Sequence, residues 1–345
     1  MTLTTGWVSR SILALGLVAL TAGPAVAQGG PAPYDYDSDQ ADQGAQGSYG
    51  YVREVEGSAS LVQAGSSDRT PADVNQPLMV GDRLQVPDGS RAEIVLADGN
   101  LVRLDGGSEL LLEHLAASPD ADDATTVLRL LAGNIQLVVT RESLGDELPR
   151  IDTPNATVYP QDFGIYRIAT EEEGWTEVTV RRGKAEVVTD GGSEIAQADE
   201  SVVAEGEERA ELDVQDAAGL DPLERWAKHL DEDYEQADSR YVDDDLRYEA
   251  APLNRNGSWV EVNSQAYWRP RVESGWRPYS HGRWAYTPSG MTWVSYEPWG
   301  WVPYHYGSWD LVSGYGWLWR PGRVYSPAWV YWYWGDNYAG WCPIG

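Results

Sequence analysis

The chain has 345 residues, enough for two domains with cores of their own. It carries 54 acidic residues against 25 basic ones, a net charge of −29. That balance excludes the basic footprint a nucleic-acid partner needs and disfavours contact with anionic lipid. A single cysteine, Cys342, leaves no internal disulfide framework.

The N-terminus reads as a secretory signal over 1–27. Arg10 gives a thin positive start, "SILALGLVALTAG" an apolar stretch, and Ala25-Val26-Ala27 a small-residue cleavage site. The apolar run is shorter than the roughly 20 residues a membrane span needs, and no later stretch replaces it. No cysteine follows it, which disfavours a lipid anchor. Residues 28–48, rich in Gly, Gln, Pro and Asp, read as a disordered lead-in. Within them "DYDSDQ" has the look of a calcium loop, but Gln40 and Gln46 stand where such a loop needs Gly and Glu.

Residues 49–214 read as β structure. "RAEIVLADGNLVRLDGGSELLL" places Ala92, Ile94 and Leu96 on one face. It is broken by Asp98-Gly99 and by Asp105-Gly106-Gly107, which are hairpin punctuation. The pattern continues in "TVLRLLAGNIQLVV" and "TEVTVRRGKAEVVTDGG". Short strands with frequent turns predict a sandwich, barrel or β-roll.

A helix is predicted from Asp221, within an acidic linker spanning 215–252. Asp221 is its N-cap, Pro222 its first residue, and Glu224 completes a capping box. Leu223, Trp226, Leu230, Tyr234, Ala237 and Tyr241 form its apolar stripe, and Asp243–Asp245 its expected end. The helix reads as a connector docked on the β domain, with a partner-binding helix as the alternative.

Residues 253–345 are a different material. From Trp259 onward there are six arginines, no lysine and five acidic residues, with 14 of the 17 tryptophans. Gly275-Trp276-Arg277-Pro278-Tyr279 aligns with Gly300-Trp301-Val302-Pro303-Tyr304 at an offset of 25. Gly257/Trp259, Gly282/Trp284 and Gly307/Trp309 keep the same beat. Trp268 aligns with Trp293, and Trp334 falls on the next beat without its glycine. Aliphatic residues are scarce here, with two Leu, one Ile and one Met. The rings must therefore supply most of the buried area, at about 150–250 Å² each. Trp299/Trp301, Trp317/Trp319 and Trp332/Trp334 are expected to pair along strand faces. Arg269, Arg277, Arg283 and Arg320 are expected to stack on indoles. A second reading displays part of this surplus as a platform for ligand or partner, with Trp276, Tyr279, Trp284, Trp301, Tyr304, Trp309, Trp317 and Trp319 as the candidates.

No catalytic motif is present. His114, His229, His281 and His305 have no paired spacing that suggests a metal site, and no cofactor is expected.

Two resemblances follow from these residues. "VGDRLQVPDGSRAEIVLADGNLVRLDGGSELLL", "LRLLAGNIQL", "IDTPNATV" and "TEVTVRRGKAEVV" resemble, in order, the periplasmic domain of the FecR family. "QDFGIYRI" departs from that family, which usually has a Gly-Thr pair before this strand. "GWRPYSHGRW", "TWVSYEPWGWVPYHYGSW", "GWLWRPG", "YSPAWV" and "GWCP" resemble a Trp/Tyr-rich module of unknown function found after FecR-type domains in exported proteobacterial proteins. FecR proteins relay a siderophore signal across the inner membrane to a sigma factor. Without a second apolar segment, the resemblance implies a sensing or contact module rather than the whole relay.

The expectation is a mainly β protein: a FecR-like β-sandwich or β-roll, an acidic connecting helix, and a Trp-rich antiparallel β-repeat domain. It is expected to be exported to the periplasm of a Gram-negative cell, with the extracellular space as the alternative. It is expected to be non-catalytic and to contact an envelope protein. Binding of polysaccharide or peptidoglycan through Trp platforms is the alternative function, and a cryptic hydrolase the second alternative.

Overall fold

The computed structural model describes residues 49–116, 125–140, 148–171, 174–236 and 240–344. The expected signal sequence and lead-in, and Ala237 of the helix stripe, lie outside the described residues.

From Tyr49 to Asp216 the strands form two sheets joined by one long strand, Val127–Val139. Sheet one runs in the order Pro77–Met79, Tyr49–Glu56, Arg91–Val95, Leu101–Leu104, the long strand, Gly164–Glu171, Trp175–Arg182, Glu200–Glu205, Glu211–Asp216. Sheet two runs Arg69–Pro71, Ser60–Val62, Arg83–Val86, Ser108–His114, the long strand, Arg150–Asp152, Thr157–Pro160, Lys184–Thr189, Gly192–Gln197. The contact with Arg150–Asp152 is parallel and the others are antiparallel.

The long strand changes sheets at Gly133. Up to Ala132 it pairs with sheet two, and from Gly133 with sheet one. Its buried residues change phase at the same point, from Leu128 and Leu130 to Ile135, Leu137 and Val139. Gly133 has φ +93, and a Cβ there would lie 2.4 Å from Ser108 Cα. Only glycine fits such a crossing. Between the sheets lies an aliphatic core that includes Ala92, Ile94 and Leu96, the face read from the sequence. Each fully buried Leu, Ile or Val contributes about 1.5–3 kcal/mol.

Helix α1 (Pro222–Glu235) starts as expected. Asp221 accepts from the Glu224 backbone, and the Glu224 side chain accepts from the Asp221 backbone. Leu223, Ala227 and Leu230 are buried. The helix ends at Glu235, with Gln236 as its C-cap, earlier than the sequence suggests. Asp244–Leu246 instead forms a separate 3-10 turn. Tyr241 therefore lies beyond the helix, where its ring packs 4.9 Å from Trp259.

The aromatic segment folds as four hairpins: Gly257–Pro270, Gly282–Ser295, Tyr306–Tyr325 and Val330–Pro343. Each carries a cross-strand tryptophan pair: Trp259↔Trp268, Trp284↔Trp293, Trp309↔Trp319 and Trp332↔Trp341. The 25-residue repeat is thus one hairpin per unit. In the fourth unit the paired residue is Trp332, two positions before the residue on the beat, Trp334. The first and third hairpins join through Trp268↔Trp319 into a four-stranded sheet, and the other two stand as separate two-stranded sheets.

Two expectations about this segment need correction. Trp299 and Trp301 share no strand: the strand ends at Ser295, and Trp301–His305 is a short helix. Pro298, Gly300 and Pro303 interrupt extended pairing there. The stacked cations are also others than expected. Among the described residues, guanidinium groups lie over rings at Arg53, Arg91, Arg240 and Arg247. Arg283 instead donates to Gln76, and Arg320 to Ser308. A guanidinium with a good acceptor in reach keeps that charge-assisted bond.

Candidate functional site

The aromatic hairpins and the sandwich share one apolar cluster. Tyr51, Val95 and Leu101 from the outer face of sheet one pack with Leu253, Trp268, Tyr279, Trp293, Trp299, Trp301, Val302, Tyr304, Trp309 and Trp319. Of the eight candidate aromatics, Tyr279, Trp301, Tyr304, Trp309 and Trp319 are buried, while Trp276, Trp284 and Trp317 are half-buried against the same cluster. The structure brings all eight together, facing inward for the most part. Trp301 stacks flat on Tyr51 at 3.8 Å. Most other contacts are tilted or edge-to-face, such as Trp268–Trp299 at 4.9 Å and Tyr279–Tyr304 at 4.7 Å, the geometry ring quadrupoles favour.

The polar atoms of these rings are largely bonded inside the cluster. Trp268 donates to Leu253 O (3.1 Å), Trp309 to Pro303 O (2.9 Å) and Trp319 to Tyr306 O (2.7 Å). Glu297 is buried and accepts from the Trp276 indole at 2.9 Å, from the Tyr304 hydroxyl and from Ser295. Asn75, buried in a loop of the sandwich, donates to the backbone oxygens of Ser295 (3.0 Å) and Glu297 (2.8 Å). This polar latch beside the shared core is a feature sequence reasoning missed. Its one local signal is Asn75 itself, in the left-handed region at φ 61, where Asn is enriched.

A second feature that the sequence did not reveal is a buried ion cluster under α1. Glu93 and Arg103 point from the outer face of sheet one and are fully buried. Arg103 donates to Glu93 at 2.7 Å, to Gln136 at 2.8 Å and to Asp231 of α1. Arg53 lies 3.8 Å over the Tyr234 ring, and the Tyr234 hydroxyl donates to Glu93. Burial by itself pushes the Glu93 carboxyl up, but Arg53 and Arg103 hold it below the usual carboxylate range. At the other end of the helix, Arg167 bonds Asp221 (2.7 Å) and Arg181 bonds Glu224 (2.6 Å). Sheet-one arginines thus grip α1 at both ends.

The surface left open is distinct from both features. Tyr159, Glu186 and Ile195 lie side by side on three neighbouring strands of sheet two. Tyr159 and Ile195 are exposed there, as is nearby Phe163. A cleft of about 640 Å³ separates the sandwich from the second hairpin, lined by Val55, Pro71, Val74, His281 and Tyr296 among others. The histidines do not converge: His281 is on the surface beside Tyr296, whereas His305 is buried between Trp301 and Tyr325. Among the described residues there is no group of three or more His, Cys, Asp or Glu placed to hold a metal ion, and no helix long and apolar enough to cross a membrane.

A two-sheet β-sandwich, gripping a capped acidic helix and sharing its core with an array of tryptophan hairpins, is the architecture these features define. Residues 82–186 match the FecR protein family, and residues 250–345 match a family of unknown function, DUF6600. The chain therefore carries a FecR domain followed by that module, in the order its motifs indicate. Two crystal structures from Parabacteroides distasonis, both provisionally described as of an anti-sigma factor, are similar to part of it. The first has 18% identity over 39% of this chain and 59% of its own, with a TM-score of 0.33. The second has 15% identity over 55% of this chain and 99% of its own, with a TM-score of 0.32. This chain spans under two thirds of the first structure's length, and overlaps this loose carry no argument about fold or partner. No curated protein matches the sequence.

Proposed function

We propose that the protein is exported to the periplasm and that its FecR domain acts as a non-catalytic module for sensing or for contact with an envelope protein. The FecR match over 82–186 is the observation that carries this reading. The structure supports a particular contact face. Sheet one is occupied by α1 and the aromatic hairpins, whereas sheet two displays Tyr159 and Ile195, with Phe163 exposed in the turn that follows its strand Thr157–Pro160. Exposed apolar side chains on either side of Glu186 suit a protein partner.

The test is photo-crosslinking of the full-length protein in cells, with the crosslinker placed at position 159 or 195. One discrete envelope adduct, lost when Phe163→Asp is added, is expected. Adducts that ignore Phe163→Asp, or none from either position, would remove sheet two as the contact face.

A second reading, glycan binding, has one specific observation in its favour. Among the described residues, four of the five most exposed aromatic side chains, Tyr331, Tyr333, Trp334 and Tyr338, fall on the single hairpin Val330–Pro343. If that display binds glycan, the exported protein is retarded in native gels containing soluble polysaccharide. Unchanged mobility against every polysaccharide would sink the reading.

A further inference from the structure

The last hairpin has two unlike faces. Trp332 and Trp341 point inward to Trp284, at ring distances of 4.5 and 5.4 Å. The opposite face carries the cross-strand pairs Tyr331↔Cys342, Tyr333↔Gly340 and Gly335↔Tyr338. No other strand pairs with this hairpin among the described residues. Tyr331, Tyr333 and Tyr338 are 57, 58 and 71% exposed.

We propose that this face is a stacking platform for an uncharged polysaccharide. The inference rests on the glycan reading above and narrows its site to Tyr331, Tyr333 and Tyr338.

Three observations select this occupant. The first is ring attitude. A Cβ at Gly335 would lie 2.3, 2.5 and 2.9 Å from three carbons of the Tyr338 ring. The ring therefore lies over bare backbone and turns its other face outward. Tyr331 and Tyr333 stand two residues apart on one strand, about 7 Å, a step comparable to one sugar ring with its linkage. The second is charge. Asp336 at the tip is the one charged residue between Val330 and Pro343, in a chain of net charge −29. With no cation on the hairpin there is nothing to hold an anionic polymer, whereas an uncharged glycan needs none. The third is area. Three rings exposed to this degree offer on the order of 300–450 Å². That is well short of the ~800 Å² per partner of a stable protein interface, yet enough to cover a few sugar rings.

The test uses the full exported protein in native gels containing pullulan, xyloglucan or galactomannan, with alginate as the anionic control. Retardation is expected in at least one uncharged gel. The triple variant Tyr331→Ala, Tyr333→Ala, Tyr338→Ala should weaken it at least tenfold, and the triple Tyr→Phe variant should restore most of it. Tyr286→Ala, which removes an exposed ring on another hairpin, should leave it unchanged. Retardation that survives the triple Ala variant overturns the site while leaving glycan binding in place. Failure of the Phe variant to restore binding overturns stacking as its basis. Binding to alginate alone overturns the uncharged class. No retardation in any gel overturns both this proposal and the glycan reading. If, in that case, sedimentation shows self-association that depends on the three tyrosines, the face belongs to a second copy instead.

Discussion

Glu93 and His305 are both buried titratable groups, and they place opposite demands on the fold. Glu93 is charged and held between Arg53 and Arg103. Glu93→Gln leaves Arg103 with Asp231 alone and takes away the carboxylate beside buried Arg53. Breaking a buried pair in this way costs about 3–5 kcal/mol, to be read from urea unfolding at pH 7. A loss under about 1 kcal/mol would mean that other acceptors satisfy the arginines. His305 is neutral. Burial drives its pKa down from 6.5 to about 4, although its ring bonds Ser326 O at 3.0 Å. As pH falls, the unfolded chain takes up this proton first. Stability therefore declines from about pH 6.5 and carries the full penalty of roughly 3 kcal/mol below about pH 4. His305→Asn should flatten the dependence of Tm on pH within that window. An unchanged slope would assign the acid response to other groups.

At the scale of the elements, glycines decide how tightly the first two tryptophan hairpins close. A Cβ at Gly257 would meet the Trp268 indole at 2.4 Å, and one at Gly282 would meet the Trp293 indole at 2.6 Å. Gly282→Ala is therefore expected to cost about 1–3 kcal/mol by overpacking. Gly219→Ala, where a Cβ meets nothing within 4 Å, should change stability by less than about 0.5 kcal/mol. Equal effects of the two in urea unfolding would show that the indoles shift aside. The 25-residue beat was legible because this steric demand recurs at Gly257 and Gly282. The capping box was legible because its bonds are local. The phase change at Gly133 was visible only as a glycine, because its cause is Ser108 on a neighbouring strand. The exposed hairpin was missed for the same reason. Tyr331 and Tyr333 differ from the buried Tyr279 and Tyr304 only in what packs against them, and composition does not record that.

For the whole molecule, the shared cluster has a consequence for cooperativity. The sequence divides at about residue 253 into an acidic, aliphatic part and a near-neutral, aromatic part. The interface across that division has the makeup of a core rather than of a hinged contact. Tyr51 is buried and stacked on Trp301, Asn75 latches the backbone at Ser295 and Glu297, and Arg323 pairs with Asp243 of the linker. Neither part can unfold without exposing apolar surface of the other, so one transition is expected. Tryptophan fluorescence reports mainly the aromatic segment, which from Trp259 onward holds 14 of the 17 tryptophans. Hydrogen exchange in Val127–Val139 reports the sandwich. Both should lose their signal at one urea midpoint. Tyr51→Ala should lower that midpoint for both probes together, by an amount equivalent to about 3–5 kcal/mol. Two separated midpoints, or a shift in fluorescence alone, would mean that the hairpins ride on the FecR domain as an independent unit. A single shifted midpoint would mean that the hairpins and the FecR sandwich unfold as one cooperative unit.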